Sequence, residues 1–345
     1  MRSAGSRCAS FPACGEHLPW GRGASITLAS RHSSRECPLS NIDWKSATQF
    51  SEAKPRPIEW VVDEIIPTNT VTLINSVSGA GKSILAAHLA ICVLTGKSWL
   101  GLPTRQGRVG YWDQDNPDSV LTDNRICALA RGLGVDLTQH EGAFIFRATG
   151  PVLLNQMERN LLIAELKARR ITLLIVDTLA SVNPLEEGDG FHRVMTDGLF
   201  PFVYSGITPV VLHHIGKDRI DNKGQKHRRT GIDAARGHSS LVASSGAAYN
   251  LLMYGEERYL ECAKPRYGKI QPITIDYDED GALGLPDWTI RVNSTRVKVS
   301  QENLTHMIRE NNWQSLSSRK LVKILADRGF STSQKTASRA LSESK

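Results

Sequence analysis

Two hydrophobic patterns divide the chain. Up to residue 212 the apolar positions come in unbroken runs. Val71-Thr72-Leu73-Ile74, Thr172-Leu173-Leu174-Ile175-Val176 and Thr208-Pro209-Val210-Val211-Leu212 leave no polar face. Strands of that kind are buried on both sides, as in a parallel sheet. Arg108-Val109-Gly110-Tyr111-Trp112 and Ala143-Phe144-Ile145-Phe146 read as two more strands. Between them, residues 84–90, 118–132 and 161–167 carry helical spacing. Strands alternating with helices predict an α/β fold, a mainly parallel sheet wrapped on both faces. After residue 245 the runs shorten: Tyr249 to Tyr254, Tyr259 to Ala263 and Ile273 to Tyr277 are separated by short turns. These predict antiparallel C-terminal strands added to the sheet.

A composition shift over residues 294–300 reads as a linker, with a small all-α unit beyond it. Leu304, Met307 and Ile308 make one apolar stripe; Leu321, Val322, Ile324 and Leu325 make a second, closed by Gly329. Ser331-Thr332-Ser333 can cap a third helix, with Ala337 and Leu341 inward and Gln334, Lys335, Ser338 and Arg339 outward. That order reads as a helix-turn-helix-like domain; a protein-docking module is the alternative. The predicted organisation is a disordered or low-complexity segment at 1–44, a P-loop domain at 45–293, a linker at 294–300 and the helical unit at 301–345.

Composition narrows the setting. At 345 residues, 40% of them hydrophobic, the chain can bury one large core and an appendage. No apolar run approaches the roughly 20 residues of a membrane span, so no membrane partner is expected. Six scattered cysteines suit a reduced, cytoplasmic location better than a disulfide framework. Cys8, Cys14, His17 and Cys37 match no standard zinc spacing. The net charge of +7 is unevenly placed. Residues 1–35, 216–236 and 296–345 carry +4, +4 and +6, which leaves an acidic remainder. Basic segments on an acidic body suggest a polyanionic partner at particular places; ordinary solvated charge is the alternative for any single segment.

Candidate chemistry begins at Ser76-Val77-Ser78-Gly79-Ala80-Gly81-Lys82-Ser83, between an apolar strand and a helix. Strand, glycine loop and Lys-Ser at a helix start form a Walker A phosphate-binding loop. Backbone N–H groups of Ser78, Gly79, Ala80, Gly81, Lys82, Ser83 and Ile84 would surround the phosphates, with the helix dipole behind them. Lys82 would reach the outer phosphates of ATP, and Ser83 would ligate Mg²⁺. Ser76 occupies the position usually held by the first glycine. Leu173 to Asp177 is a Walker B pattern, with Asp177 as second holder of Mg²⁺ at the end of a buried strand. Asp115 is the candidate that orients the attacking water, placed beside the P-loop at the end of the second strand. Asp113 competes for that role but reads better as a turn residue before Asn116-Pro117. His213 and His214 end the strand at Leu212, where a polar side chain can sense the γ-phosphate.

Four stretches together resemble the RepA-like branch of RecA/DnaB-type P-loop ATPases and helicases, often described as AAA family ATPases. They are Trp60 to Pro67 with the P-loop; Val109 to Pro117; Leu174-Ile175-Val176-Asp177-Thr178-Leu179; and His213-His214-Ile215-Gly216-Lys217 running on to Ala235-Arg236-Gly237-His238-Ser239-Ser240. The resemblance spans residues 57–255 and implies a RecA-like core. Where the family has a water-activating Glu this chain has Asp115, one methylene shorter. His214 falls on the γ-phosphate sensor position. Arg236 resembles the arginine given to a neighbouring subunit's nucleotide, which implies a homo-oligomer, a hexamer by preference. The family also places DNA-contacting loops after the sensor strand, where Lys217, Arg219, Lys223, Lys226, Arg228 and Arg229 lie. No aromatic residue accompanies them, so single-stranded DNA would be held by its phosphates. The implied function is an ATP-hydrolysing, ring-forming, helicase-like motor in replication or recombination. An ATP-switched DNA-binding regulator or assembly factor with slow turnover is the alternative; the basic loop and appended helices argue against a small-molecule kinase.

Overall fold

The unbroken apolar runs do become the centre of one large sheet. A computed structural model describes residues 46–344 except 55, 117–118, 149, 151–152, 183–189, 217–218, 221–225, 228–230, 235–238, 255, 269, 297–300, 328–329 and 331. The chain falls into two units, Met1–Arg56 and Pro57–Lys345. In the first, the described part is helix α1 (Ala47–Glu52), whose Ser46 and Gln49 form a reciprocal capping box and none of whose residues is buried. The expectations for residues 1–44 and for Cys8, Cys14, His17 and Cys37 lie outside the described residues.

The second unit opens with a hairpin of β1 (Trp60–Val62) and β2 (Ile66–Pro67). Then follow β3 (Thr72–Ser76), α2 (Lys82–Thr95), β4 (Val109–Asp113), α3 (Val120–Gly132), β5 (Phe144–Arg147), α4 (Gln156–Ala168) and β6 (Leu173–Asp177). Helices α5 (Leu179–Val182), α6 (Gly190–Arg193) and α7 (Phe200–Tyr204) lead to β7 (Thr208–His214), with a π-helical stretch at Val194–Leu199 between α6 and α7. The short strands β8 (Arg219–Ile220) and β9 (Lys226–His227) pair with each other, and α8 (Ser239–Ser244) leads to β10 (Ala247–Tyr254). Three further strands, β11 (Glu257–Lys264), β12 (Ile273–Asp280) and β13 (Thr289–Arg296), precede α9 (Gln301–Glu310), α10 (Ser318–Asp327) and α11 (Gln334–Ser344).

Nine strands make the main sheet in the order β13-β12-β11-β10-β3-β7-β6-β4-β5. From β10 to β5 every neighbouring pair is parallel; β11, β12 and β13 are antiparallel. Alternation along each strand feeds two cores. Ile74, Tyr111, Ile175 and Leu212 pack under α2 and α3. Leu73, Trp112, Val176 and Val211 pack against α4, α7 and α8.

Three expectations change. The strand at 249–254 was expected among the antiparallel additions, but β10 runs parallel to β3. The chain between His214 and Ala247 is long enough, with α8 in it, to return to the same end of the sheet. The second strand does not lie beside the P-loop strand: β7 and β6 separate β4 from β3. Residues 294–296, read as linker, belong to β13. That strand is tied to α3, where Arg131 donates twice to the Trp288 carbonyl at 2.9 and 2.7 Å.

The C-terminal helices stand on the sheet. Leu304, Met307 and Ile308 of α9 are buried with Leu252 and Tyr254 of β10, Tyr259 of β11, and Ile215. Leu321 and Leu325 of α10 and Ala337 and Leu341 of α11 complete that core. Ser333 accepts from the Thr336 N–H at 3.0 Å and so caps α11.

Candidate active site

Parallel strands point their C-terminal ends one way, and in an open α/β sheet that edge takes the ligand. Here β3, β7, β6 and β4 end there in Ser76, His214, Asp177 and Asp113. Ser76 pairs across with His214, and Asp113 with Asp177. The alternation that buries Leu212, Ile175 and Tyr111 under α2 puts His214, Asp177 and Asp113 toward the same side.

The P-loop follows β3 directly. Gly79 and Gly81 have φ of +79° and +88°, the left-handed region where a side chain is strained. Ser76 is not among the positive-φ residues, which is why serine can stand at that position. Gly81 caps α2; its carbonyl accepts from the Leu85 N–H at 3.0 Å. A Cβ on Gly79 would meet nothing within 4 Å. Lys82, the first residue of the helix, is buried, while Ser83 and Ile84 are half-buried.

Asp177 is almost fully buried. One carboxylate oxygen accepts from the Tyr111 hydroxyl at 3.0 Å; the other, Oδ1, is buried without a hydrogen-bond partner. Burial pushes its pKa up to about 6, the nearby Ser83 hydroxyl lowers it, the Asp113 carboxylate raises it, and the Tyr111 hydroxyl and Lys82 ammonium lower it. An orphaned carboxylate oxygen is costly in a dry site. The hydration shell of a divalent cation would satisfy it. Serine hydroxyl, carboxylate and lysine therefore converge as Mg²⁺ and a polyphosphate require, so the residues fit that group.

The two acids after β4 part company. Asp113 is buried and accepts from the N–H groups of Asp115 and Asn116 at 3.0 and 3.1 Å, from the Asn116 side chain, and from Thr122. It is a turn residue that ends the strand. Asp115 lies two residues past that end and is exposed. It does not end the strand as expected, because the Asp113 turn redirects the chain. Its carboxylate accepts from Thr178 Oγ at 3.3 Å and from Ser181 Oγ, which brings it to the end of β6 beside Asp177. His214 is half-buried at the end of β7. Lys217, Lys223, Arg228, Arg229 and Arg236 lie outside the described residues; Arg219 and Lys226 are placed by backbone alone, in β8 and β9.

Three contacts were not legible from the sequence. Tyr111 reads there only as strand, yet its hydroxyl holds Asp177; the signal was its alternation with Asp113 on a strand neighbouring the Walker B strand. The other two come from the antiparallel strands. Tyr277 of β12 donates to the Gly81 carbonyl at 2.9 Å, and its ring would sit 2.2 Å from a Cβ on Gly81. Arg258 of β11 donates to the Ala80 carbonyl at 3.2 Å with its guanidinium 4.8 Å from the Tyr277 ring centroid. The P-loop backbone is thus braced from strands some 180 residues away in sequence. No local pattern announces such contacts.

Among the described residues, no helix is long and apolar enough to cross a membrane, and no cluster of three or more His, Cys, Asp or Glu could hold a metal ion. No curated protein matches the chain. One family model does, that of the AAA_25 AAA domain, over residues 34–219, more than half of the sequence and with the P-loop, Asp115, Asp177 and His214 inside it. The chain accordingly belongs to the AAA_25 family of AAA-type P-loop ATPases.

Proposed function

We propose that this ATPase is a ring-forming, RepA-type, helicase-like motor with a RecA-like core, acting on single-stranded DNA in replication or recombination. The observation that carries the nucleotide chemistry is Asp177: a buried carboxylate with one unsatisfied oxygen, near the Ser83 hydroxyl and under the charge of Lys82. Bound Mg²⁺ supplies charge neutralisation between the outer phosphates. Ser83 and Asp177 would hold it, the N–H groups of residues 78–84 would bind the phosphates, and Lys82 would steady the transferring group. Asp115 would orient the attacking water, and His214 would report the γ-phosphate to the segment after β7. Arg236 would act on a neighbouring subunit's nucleotide, which makes the working unit an oligomer, a hexamer by preference. Lys217, Arg219, Lys223, Lys226, Arg228 and Arg229 would grip the DNA backbone.

A second reading has its own observation. The Asp115 carboxylate already accepts from Thr178 and Ser181. Those hydroxyls occupy lone pairs that an attacking water would use, and the side chain is one methylene short of Glu. This favours a slow switch, a DNA-bound regulator in which ATP sets a state and is seldom consumed. ATPase rates with and without single-stranded DNA separate the two. A motor is stimulated at least about tenfold and loses that gain in Asp115→Asn; a switch turns over slowly with or without DNA. Mixing Lys82→Ala with Arg236→Ala protein restores part of the activity if sites are shared between subunits, and no rescue at any ratio removes the ring from the proposal.

A further inference from the structure

The C-terminal helices and the P-loop share a core. Val77, within the P-loop, packs partly buried against the cluster formed by α9, α10 and α11 with β10 and β11. Ile215, in the same cluster, donates its N–H to the Ser76 carbonyl at 2.8 Å. Phe330, between α10 and α11, meets Tyr259 of β11 edge-on with ring centroids 5.6 Å apart. The seat lies at the ligand end of the sheet: Leu251 pairs with Ser76, and β10 continues past it to Tyr254.

The exposed described positions of α10 and α11 are mostly basic. Arg319, Lys320 and Lys323 of α10 and Lys335 and Arg339 of α11 are exposed. A groove of about 660 Å³ runs beside α11, with Gln334, Lys335, Ser338 and Arg339 on its wall. The acidic residue lining it, Glu343, accepts from Gln301 and from Thr305 of α9. Lys335 and Arg339 are one helical turn apart and project together. Long cations with an amide and a hydroxyl between them suit phosphate oxygens and base edges. A protein partner would call for an aromatic or apolar anchor, and none of the exposed described positions of α10 and α11 carries one.

We infer that α10 and α11 form a docking surface for duplex DNA, and that its affinity is linked to nucleotide occupancy of the P-loop through the core holding Val77, Ile215, Tyr259 and Phe330. The linkage rests on the reading above that the P-loop takes a nucleoside triphosphate. Phosphate contacts fix the backbone at residues 76–83, and through Val77 they fix the seat of the helices. Duplex binding fixes that seat from the other side, so each ligand favours the other by the same factor.

The test uses the full chain, a labelled duplex of about 20 base pairs and Mg–ATPγS, read by anisotropy and calorimetry at about 100 mM salt. Mg–ATPγS is expected to tighten duplex binding at least about fivefold, and the duplex to tighten Mg–ATPγS by the same factor. Affinities equal within about twofold overturn the linkage. Lys335→Glu with Arg339→Glu should weaken duplex binding at least about tenfold while nucleotide affinity and DNA-stimulated turnover remain; retained duplex binding overturns the surface. Phe330→Leu should leave each ligand binding alone but bring the factor toward one, and an unchanged factor overturns the route through Phe330. Nucleotide turnover without duplex binding sinks this inference alone and gives the surface to a protein partner. Absence of any nucleotide binding sinks the reading beneath it.

Discussion

The two halves of the main sheet contribute to one site in opposite ways. The parallel half, β10 to β5, carries Lys82, Ser83, Asp177, Asp115 and His214 on or just after its C-terminal ends. The antiparallel half, β11 to β13, sends Arg258 and Tyr277 to the P-loop backbone, where they bond the carbonyl oxygens of Ala80 and Gly81 and not its N–H groups. The first half places the chemistry and the second braces it. A parallel strand delivers polar residues where its hydrogen-bonded neighbours end together, so sequence order predicts them. An antiparallel strand reaches the loop from mid-strand, at a position fixed only by register.

The largest effect should come from breaking the first half. Lys82→Ala removes the ammonium beside Asp177 and is expected to lower ATP turnover by about 10²–10³-fold, with a melting temperature unchanged within a few degrees. Turnover within about tenfold of wild type would mean that the antiparallel brace, rather than the P-loop lysine, governs the site.

Next is the joint between the sheet's far edge and α3. A Cβ on Gly132 would lie 2.1 Å from the Ile290 carbonyl oxygen, a backbone atom that cannot swing aside. Gly132→Ala should cost about 2–3 kcal/mol, read as a fall of several degrees in the melting transition of the core. An unchanged transition would make β13 peripheral to the core.

Legibility in the sequence follows the same division. Residues 71–74, 172–176 and 208–212 announced strands because a strand buried on both faces has no polar position to confuse the pattern. The P-loop and Asp177 were legible because strand, glycine turn and lysine are contiguous. The helices from Gly190 to Tyr204 were missed: Gly198 and Pro201 interrupt the period, and the middle of the segment is a π-helix. Asp113 was legible as a turn residue, but Asp115 was misplaced at the strand end, because Asp113 accepts the turn's N–H groups and ends β4 before alternation reaches Asp115. Strand order was illegible too. Nothing local tells β4 that β7 and β6 will come between it and the P-loop strand.

A smaller effect probes Asp177 through pH. Its carboxyl is raised by burial to about 6 from an ordinary 3.8, so the ionised form is disfavoured in the ligand-free fold. The sign follows from linkage: the stabilising contribution is full below pH 3.8 and is lost as pH rises through about 6. Asp177→Asn should therefore stabilise the ligand-free protein at pH 8 by up to about 3 kcal/mol, with the gap closing toward pH 4. Wild-type affinity for Mg–ATPγS should weaken below pH 6, by up to about tenfold per unit, because Mg²⁺ needs the carboxylate. A stability gap that does not change with pH would show that the carboxylate is not held neutral by burial.

The smallest effect sharpens the comparison most. Tyr277→Phe removes one hydroxyl and keeps the ring under Arg258. The Gly81 carbonyl still accepts from Leu85, so the loss is one net hydrogen bond, about 1 kcal/mol, or about fivefold in Mg–ATPγS affinity with kcat little changed. Gly81→Ala carries two penalties: a left-handed φ that costs alanine about 1–2 kcal/mol, and the Tyr277 ring at 2.2 Å. Only the second can be relieved from outside the loop. If the brace sets the loop's shape, Gly81→Ala with Tyr277→Ala binds Mg–ATPγS more tightly than Gly81→Ala alone, because the ring no longer occupies the space the new methyl needs. If the loop holds its shape unaided, the two losses simply add. The antiparallel half would then be packing next to the site with no part in positioning it.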